Sequence, residues 1–451
     1  MFRRKIYDKL VEWKQKDARE CALLINGARR VGKSFIVEEF AKAEYRSYAI
    51  VDFSVEDKNM RNLFLKYLGD LDTFFSYFSS FTGVKLYPHE TLIVFDEVQE
   101  FPRAREAIKH LVKDGRYDYI ETGSLVSINE NVKDILIPSE ERDISMWPMD
   151  FEEFLWATGR ETLMDGVRRA YERGEAMGPL HELAMDAFRQ YLVVGGMPQA
   201  VAKYVETRDF MEVDRKKRDL LRLYRKGIRK HAKRYALKVE SIYDEIPGQL
   251  SKHEKYFSLA TLNSEARFRE YENAFLWLDD ARVVNTAFNV SDPNMGFKLN
   301  AVSSTRKCYF LDTGMLVSHA FDENELLAAD VHNRILAKDL EINEGMFVEN
   351  VVAQMLVAAG CKLYFYSKRT KSKKDRMEID FLLTRGKLEK ANNVRLVEVK
   401  SGKRATHRSL DKFRAKFPSY VERSILLWMK DRKVEDGVEY LPIYMTPCLV
   451  G

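Results

Sequence analysis

The chain has 451 residues, 45% of them apolar, enough for about two to four domains with sizeable cores. Lys plus Arg number 74 against 69 Asp plus Glu. The formal net charge of +5 is too small for this length to argue a nucleic-acid binder by itself, so any basic footprint has to be local. Cys21, Cys308, Cys361 and Cys448 are far apart, which excludes a Cys-x-x-Cys metal or redox motif and suits a reducing compartment. The start, Met1 to Leu10, is charged and helical rather than secretory, and no run of 18 apolar residues occurs. The expectation is a cytoplasmic protein with no membrane span.

In chain order, Ile6, Leu10 and Trp13 mark an amphipathic helix over Phe2–Lys16. Ala22–Ile25 is an apolar strand that runs into Gly27-x-x-x-x-Gly32-Lys33-Ser34, with the start of a helix from Phe35 to Ala41. A strand, this loop and a helix form a phosphate cradle. Backbone N–H groups of Gly27, Ala28, Arg29, Arg30, Val31 and Gly32 face the phosphates, and the two glycines permit the close approach. Lys33 reaches the β and γ phosphates, and Ser34 offers a hydroxyl to magnesium. ATP and Mg2+ are therefore the expected cofactors.

Ser47–Phe53 reads as the second strand and Thr91–Phe95 as the third, which ends in Asp96-Glu97. Carboxylates at the C-terminal edge of a parallel strand stand where open α/β sheets bind ligands. Asp96 is expected to hold the magnesium and Glu97 to polarise the attacking water. The 63 residues from Lys33 to Asp96 leave room for an additional strand, and Gln99 either orients water or caps a helix. A fourth strand, Tyr117–Glu121, ends in Thr122-Gly123-Ser124, where the Thr122 and Ser124 hydroxyls can sense the γ phosphate. Arg142, with Arg29 and Arg30 as alternatives, is a candidate for the arginine that stabilises the transferring charge. The alternation of strands and helices predicts a three-layer α/β domain over 1–155.

Residues 23–34, 92–97, 120–124 and 140–154 resemble the AAA-type P-loop ATPases of archaea and bacteria that carry a C-terminal DUF4143 domain. Gly123-Ser124 fits the family's sensor strand. Arg142 matches its arginine, although Glu141 stands where the family has glycine, and Pro148 to Phe154 matches its Phe-x-Glu-Phe segment. A finger that acts in trans would require a homo-oligomer.

Residues 156–237 read as a helical lid, broken at Gly195-Gly196-Met197-Pro198. That turn is similar to the family's Gly-Gly-x-Pro motif, and is read as either part of the lid over the nucleotide or a helix–helix connector. Residues 215–234 hold eleven Lys or Arg beside an apolar stripe of Leu220, Leu221, Leu223, Tyr224 and Ile228. The basic face is a candidate track for DNA phosphates or a solvated face. Over 238–305, helices at Ser251–Leu259 and Phe268–Asp279 and strands at Arg282–Phe288 and Gly296–Asn300 predict a winged-helix-like module, which the resemblance also implies.

From 306 to 451 a strand at Lys307–Leu311, a helix over Asn343–Leu356 and strands at Leu363–Tyr366, Glu378–Thr384 and Val394–Val399 predict a second α/β domain. Glu398 and Lys400 share one face of their strand, with Val397 and Val399 turned to the core. Glu349, Asp380 and Glu398 are candidate magnesium ligands, with Lys400 placed to steady an attacking hydroxide. This segment resembles a restriction-endonuclease-like domain, all four of whose positions are filled. The alternative is a nuclease-like fold retained for binding. The basic loop 368–376 suits a polyanion or a solvated loop.

Two whole-chain functions follow. One is ATP hydrolysis coupled to a DNA-associated nuclease-like module. The other is a switch ATPase whose inactive C-terminal domain binds a protein partner.

Overall fold

The computed structural model describes residues 2–55, 57–123, 139–252, 255–294, 296–322, 325–337, 344–368, 376–384, 393–402 and 405–450. They form two compact units, Met1–Trp147 with Asp280–Arg282, and Pro148–Asp279 with Val283–Gly451.

The first unit runs α1 (Ile6–Lys16), β1 (Ala22–Asn26), α2 (Lys33–Glu44), β2 (Ser47–Asp52), α3 (Lys58–Lys66), α4 (Leu71–Thr82), β3 (Thr91–Asp96), α5 (Pro102–Asp114), β4 (Asp118–Gly123) and β5 (Glu141–Ser145). The sheet order is β2-β3-β4-β1-β5, and every pairing is parallel. The three inner strands are buried along their whole length, whereas β2 and β5 are half-exposed, as central and edge positions demand. One face of the sheet is covered by α3, α4 and α5 around Phe53, Phe64, Phe74, Phe78, Phe95 and Tyr119. The expected helix and strands are all present, with bounds moved by a few residues. β4 lies between β1 and β3, so the phosphate loop and the Asp96 edge are two strands apart.

β4 also carries an acid into this core. Glu121 is fully buried beside Glu141, and Glu141 is held by Arg105 through bonds of 3.0 and 2.7 Å. Burial first, then the Glu141 charge, pushes the Glu121 acid well above the carboxylate range. A raised folded-state pKa means that the contribution of Glu121 to stability is complete below its unfolded value and is lost as pH rises towards the folded one. Glu121→Gln should therefore gain stability over the wild type as pH rises above about 4.3. Urea unfolding across that range measures it.

The second unit begins with helices α6 (Phe151–Ala157), α7 (Glu161–Arg173), α8 (Leu180–Val194), α9 (Pro198–Thr207), α10 (Phe210–His231), α11 (Ala236–Leu250) and α12 (Phe268–Asp280). Then follow β6 (Val284–Val290), β7 (Ala301–Phe310), α13 (Thr313–Ala320), α14 (Glu325–Leu336), α15 (Glu344–Ala358), β8 (Leu363–Lys368), β9 (Met377–Ile379), β10 (Phe381–Thr384), β11 (Val394–Val399), α16 (Arg408–Lys416), β12 (Val421–Trp428), β13 (Lys433–Glu435) and β14 (Val438–Pro442). Two sheets result, β7-β6-β8-β9 and β10-β11-β12-β14-β13, and they share a core that includes Tyr366, Ile379, Leu382, Leu396 and Leu426.

The wing differs from its expected form. Phe297–Asn300 is a single 3-10 turn, and β6 pairs instead with the longer β7. β6 pairs on its other side with β8, so the hairpin is part of the C-terminal sheet and the 305/306 division falls inside β7. Of the helix expected at Ser251–Leu259, the described residues before Leu259 are not helical; α11 ends at Leu250, and a 3-10 turn begins at Leu259. Among the described residues no helix is long and apolar enough to cross a membrane.

Candidate functional site

The phosphate loop links the end of β1 to the start of α2. Gly27 has φ 157, a conformation that L side chains rarely adopt, and a Cβ there would lie 2.4 Å from the Met146 carbonyl oxygen, so both backbone and packing require glycine. Gly32 has φ 100 as the residue before α2, where a side chain would be strained. Ala28 and Val31 are buried and anchor the loop, which leaves their backbone as the functional part, while Arg30 is exposed and Arg29 half-buried. Lys33 is buried and donates to the carbonyls of Gly27 and Ala28 at 2.9 and 3.0 Å. Burial pulls its ammonium below the ordinary value, against the opposing charges of Glu97 and Asp96.

Three elements meet at one carboxylate. Ser34 Oγ, in the first turn of α2, donates to Asp96 Oδ1 at 3.0 Å, and Thr122 Oγ1, near the end of β4, donates to the same oxygen. Glu97 follows Asp96 with φ 53, an uncommon left-handed conformation for a non-glycine residue, and its Oε2 accepts from the Gln99 amide. Lys33, Ser34, Asp96, Glu97 and Thr122, singled out separately along the sequence, thus gather at the C-terminal edge of the sheet. Ser124 lies outside the described residues. Arg142 is not brought to them: it sits mid-strand on β5, opposite Leu23, and is ion-paired with Asp17.

Two supports were missed in the sequence. Arg4, buried, donates to the carbonyls of Val31 and Trp147 at 3.1 and 2.7 Å and so braces the loop from behind. Asn26, the last residue of β1, donates to Asp143 at 3.2 Å and accepts from Ser145 at 2.8 Å, which fixes β5 beside the loop entrance. A polar residue closing an apolar strand was the available signal for Asn26; Arg4 left none.

Gly195-Gly196-Met197-Pro198 is a buried crossing of three chain segments. Gly196 N donates to Asp312 Oδ2 at 2.6 Å, and Met149 N donates to the Gly196 carbonyl at 2.7 Å. Gln354 adds bonds to Asp312 and to the Tyr191 hydroxyl at 3.2 and 3.0 Å. Of the two readings of this turn, the observed contacts are those of a connector between α8 and α9.

The basic helix is α10, and its arginines are paired within the chain: Arg215 with Glu212, Arg218 with Asp214 and Asp322, Arg222 with Asp219, Arg225 with Asp322 and Asp244, and Arg229 with Glu240. Lys217 is fully buried and donates to the Val193 carbonyl at 2.7 Å; burial lowers its ammonium to about 8. Most of the basic loop 368–376 lies outside the described residues.

In the C-terminal sheets, Asp380 occupies the break between β9 and β10, and its Oδ2 accepts from Val399 N at 2.9 Å. Lys400 Nζ lies 2.6 Å from Glu398 Oε1, as the shared strand face predicts. Glu398 is buried, and burial lifts its acid to about 7 despite Lys400; Val399, expected in the core, is half-buried. Glu349 accepts from Lys255, from Lys307 at 3.1 Å and from the Tyr309 hydroxyl at 2.5 Å. Burial alone would raise its acid, but Lys255 and Lys307 hold it at about 2. Among the described residues no three His, Cys, Asp or Glu side chains are grouped to hold a metal ion. Of the expected set, Glu349 and Asp380 face Lys307, and Glu398 faces Lys400.

Residues 19–155 match the AAA domain family, residues 185–325 a domain of unknown function (DUF8612), and residues 344–446 another domain of unknown function (DUF4143). The chain therefore carries an AAA-type P-loop ATPase domain and a distinct C-terminal α/β module with a DUF4143 domain. No curated protein matches it. Similar solved structures include the Walker-type ATPase PABY2304 of Pyrococcus abyssi, with 15% identity and TM-score 0.43 over 71% of this chain and 96% of that one. The Aeropyrum pernix ORC2 protein, solved in ADPNP–ADP complexes, shares 10% identity with TM-score 0.35 over 74% of this chain and 93% of that one. PCH-2 of C. elegans shares 12% with TM-score 0.23 over 46% of this chain and 60% of that one.

Proposed function

We propose that the first unit binds ATP with magnesium and hydrolyses it, as a switch whose C-terminal module engages a protein partner. The observation that carries the reading is the convergence of Ser34 and Thr122 on Asp96 Oδ1 beside the phosphate loop. A hydroxyl and a carboxylate are the hard oxygen donors that magnesium takes, so Ser34 and Asp96 fit the ion, which when bound neutralises phosphate charge. The N–H groups of residues 27–32 orient the phosphates, and Lys33 exchanges its loop carbonyls for phosphate oxygens. Glu97 accepts the proton of the attacking water, and Thr122, through Asp96, registers the γ phosphate. Arg142, on an edge strand, would serve a neighbouring copy in a homo-oligomer by giving up its ion pair with Asp17.

A protein partner is favoured over DNA by the state of α10. Arginines already ion-paired at 2.5–3.2 Å would have to give up these partners to meet phosphates. Phosphate release by the purified chain with magnesium, with and without single- and double-stranded DNA, tests both parts. The expected result is magnesium-dependent turnover that DNA leaves unchanged. Turnover raised by DNA, with DNA binding that weakens steeply with salt, would restore the nucleic-acid reading; no turnover at all would refute the ATPase.

A further inference from the structure

Lys307 is a cation placed inside a cluster of acids. β7 carries it into the interior, where it is 1% exposed. Its Nζ stands 2.7 Å from Glu378 Oε1, 3.1 Å from Glu349 Oε1 and 3.4 Å from Asp380 Oδ1. These acids come from β9, α15 and the β9–β10 break, so tertiary structure alone gathers them. Tyr309, two residues along and on the same face of β7, donates to Glu349 Oε1, and Lys255 holds Glu349 Oε2 while also donating to the Gly345 carbonyl at 3.1 Å.

Acids gathered in a low-dielectric interior need a cation among them. We propose that the Lys307 ammonium is that cation, built into the chain, and that it excludes a divalent ion from the place where the fold resemblance would put magnesium. Magnesium needs about six oxygens at about 2.0–2.1 Å. Here both Glu349 oxygens are engaged by donors, one Asp380 oxygen faces Lys307 and the other the Val399 N–H, and the ammonium fills the space between them. Glu398, the remaining expected ligand, is bonded to Lys400, whose charge also acts on Asp380. Entry of a divalent ion would require Nζ to leave its place, where it lies 5.1 Å from the centre of the Phe365 ring on a side chain only 1% exposed. The centre is thus an electrostatic core that meets solvent at Glu378, whose side chain is 31% exposed, and taking away the ammonium should open a divalent-cation site formed by Glu349, Glu378 and Asp380.

Mn2+ titration of the full chain without nucleotide, read by loss of the free-ion paramagnetic signal, tests this independently of the ATPase site, where nucleotide supplies most of the magnesium ligands. The wild type and Asp380→Asn should give the same titration. Lys307→Ala should gain a Mn2+ site that binds tighter than any in the wild type by about tenfold or more, the size of effect that groups bonded to metal ligands exert. Adding Asp380→Asn to it should abolish the gain. Should Lys307→Ala fail to fold, Lys307→Met keeps the stem packed and takes its place. A wild-type Mn2+ site weakened by Asp380→Asn would overturn the proposal, and so would a folded Lys307 variant that gains none.

Discussion

Glu97→Gln is expected to lower ATP turnover by about 10²–10⁴-fold, the contribution of a positioned general base, while ATP still binds. The substitution keeps the size and shape of the side chain and removes its capacity to take a proton. The groups that would hold nucleotide are others: the loop N–H groups, Lys33, Ser34 and Asp96, with Asp96 fixed by hydroxyls from α2 and β4. Glu97 is set apart from them by its left-handed backbone and its bond from Gln99. Steady-state phosphate release at saturating ATP reads the loss.

Gly196→Ala should be the most destabilising single methyl in the second unit. A Cβ at this position would lie 1.9 Å from the Met149 carbonyl oxygen and 2.9 Å from Met149 N, both backbone atoms that cannot swing aside. Relief would pull apart the 2.6 Å bond to Asp312 and the 2.7 Å bond from Met149 N, which leaves buried polar groups unsatisfied. The cost is about 4 kcal/mol or more, a large share of the roughly 5–15 kcal/mol by which a folded domain is stable. Gly166→Ala is the contrast. That glycine lies within α7, where a new Cβ meets only Leu180 Cδ1 at 3.6 Å, and the change should stabilise by up to about 1 kcal/mol. Thermal unfolding of the two variants beside the wild type measures the difference.

What the sequence made legible follows the range of the interactions. The phosphate loop, Asp96-Glu97 and Thr122 were readable because each is a local pattern, an apolar strand that ends in a few polar residues, and parallel pairing then puts those ends on one edge. Arg4 was not readable because its partners, Val31 and Trp147, are distant in sequence and are backbone atoms. The wing was misplaced because Ala301-Val-Ser-Ser-Thr305 has no alternation to mark the first half of β7, whereas Gly296–Asn300 has a sheltered phenylalanine, Phe297, that the turn buries just as well as a strand would. The charged run of α10 predicted a basic surface, but its neutralising acids, Asp244 and Asp322 among them, come from other segments. Lys307 was read only as the start of a strand. Its role depends on four elements that meet in space, and no spacing along the chain encodes that.

ATP turnover is expected of the site at Gly27–Ser34, Asp96 and Glu97. Its most direct test measures nucleotide affinity and phosphate release on the same preparations of wild type and Glu97→Gln. Equal affinity is expected, with release by Glu97→Gln lower by about a hundredfold or more. Equal release by both proteins, or a wild type that binds no ATP in the presence of magnesium, would contradict it.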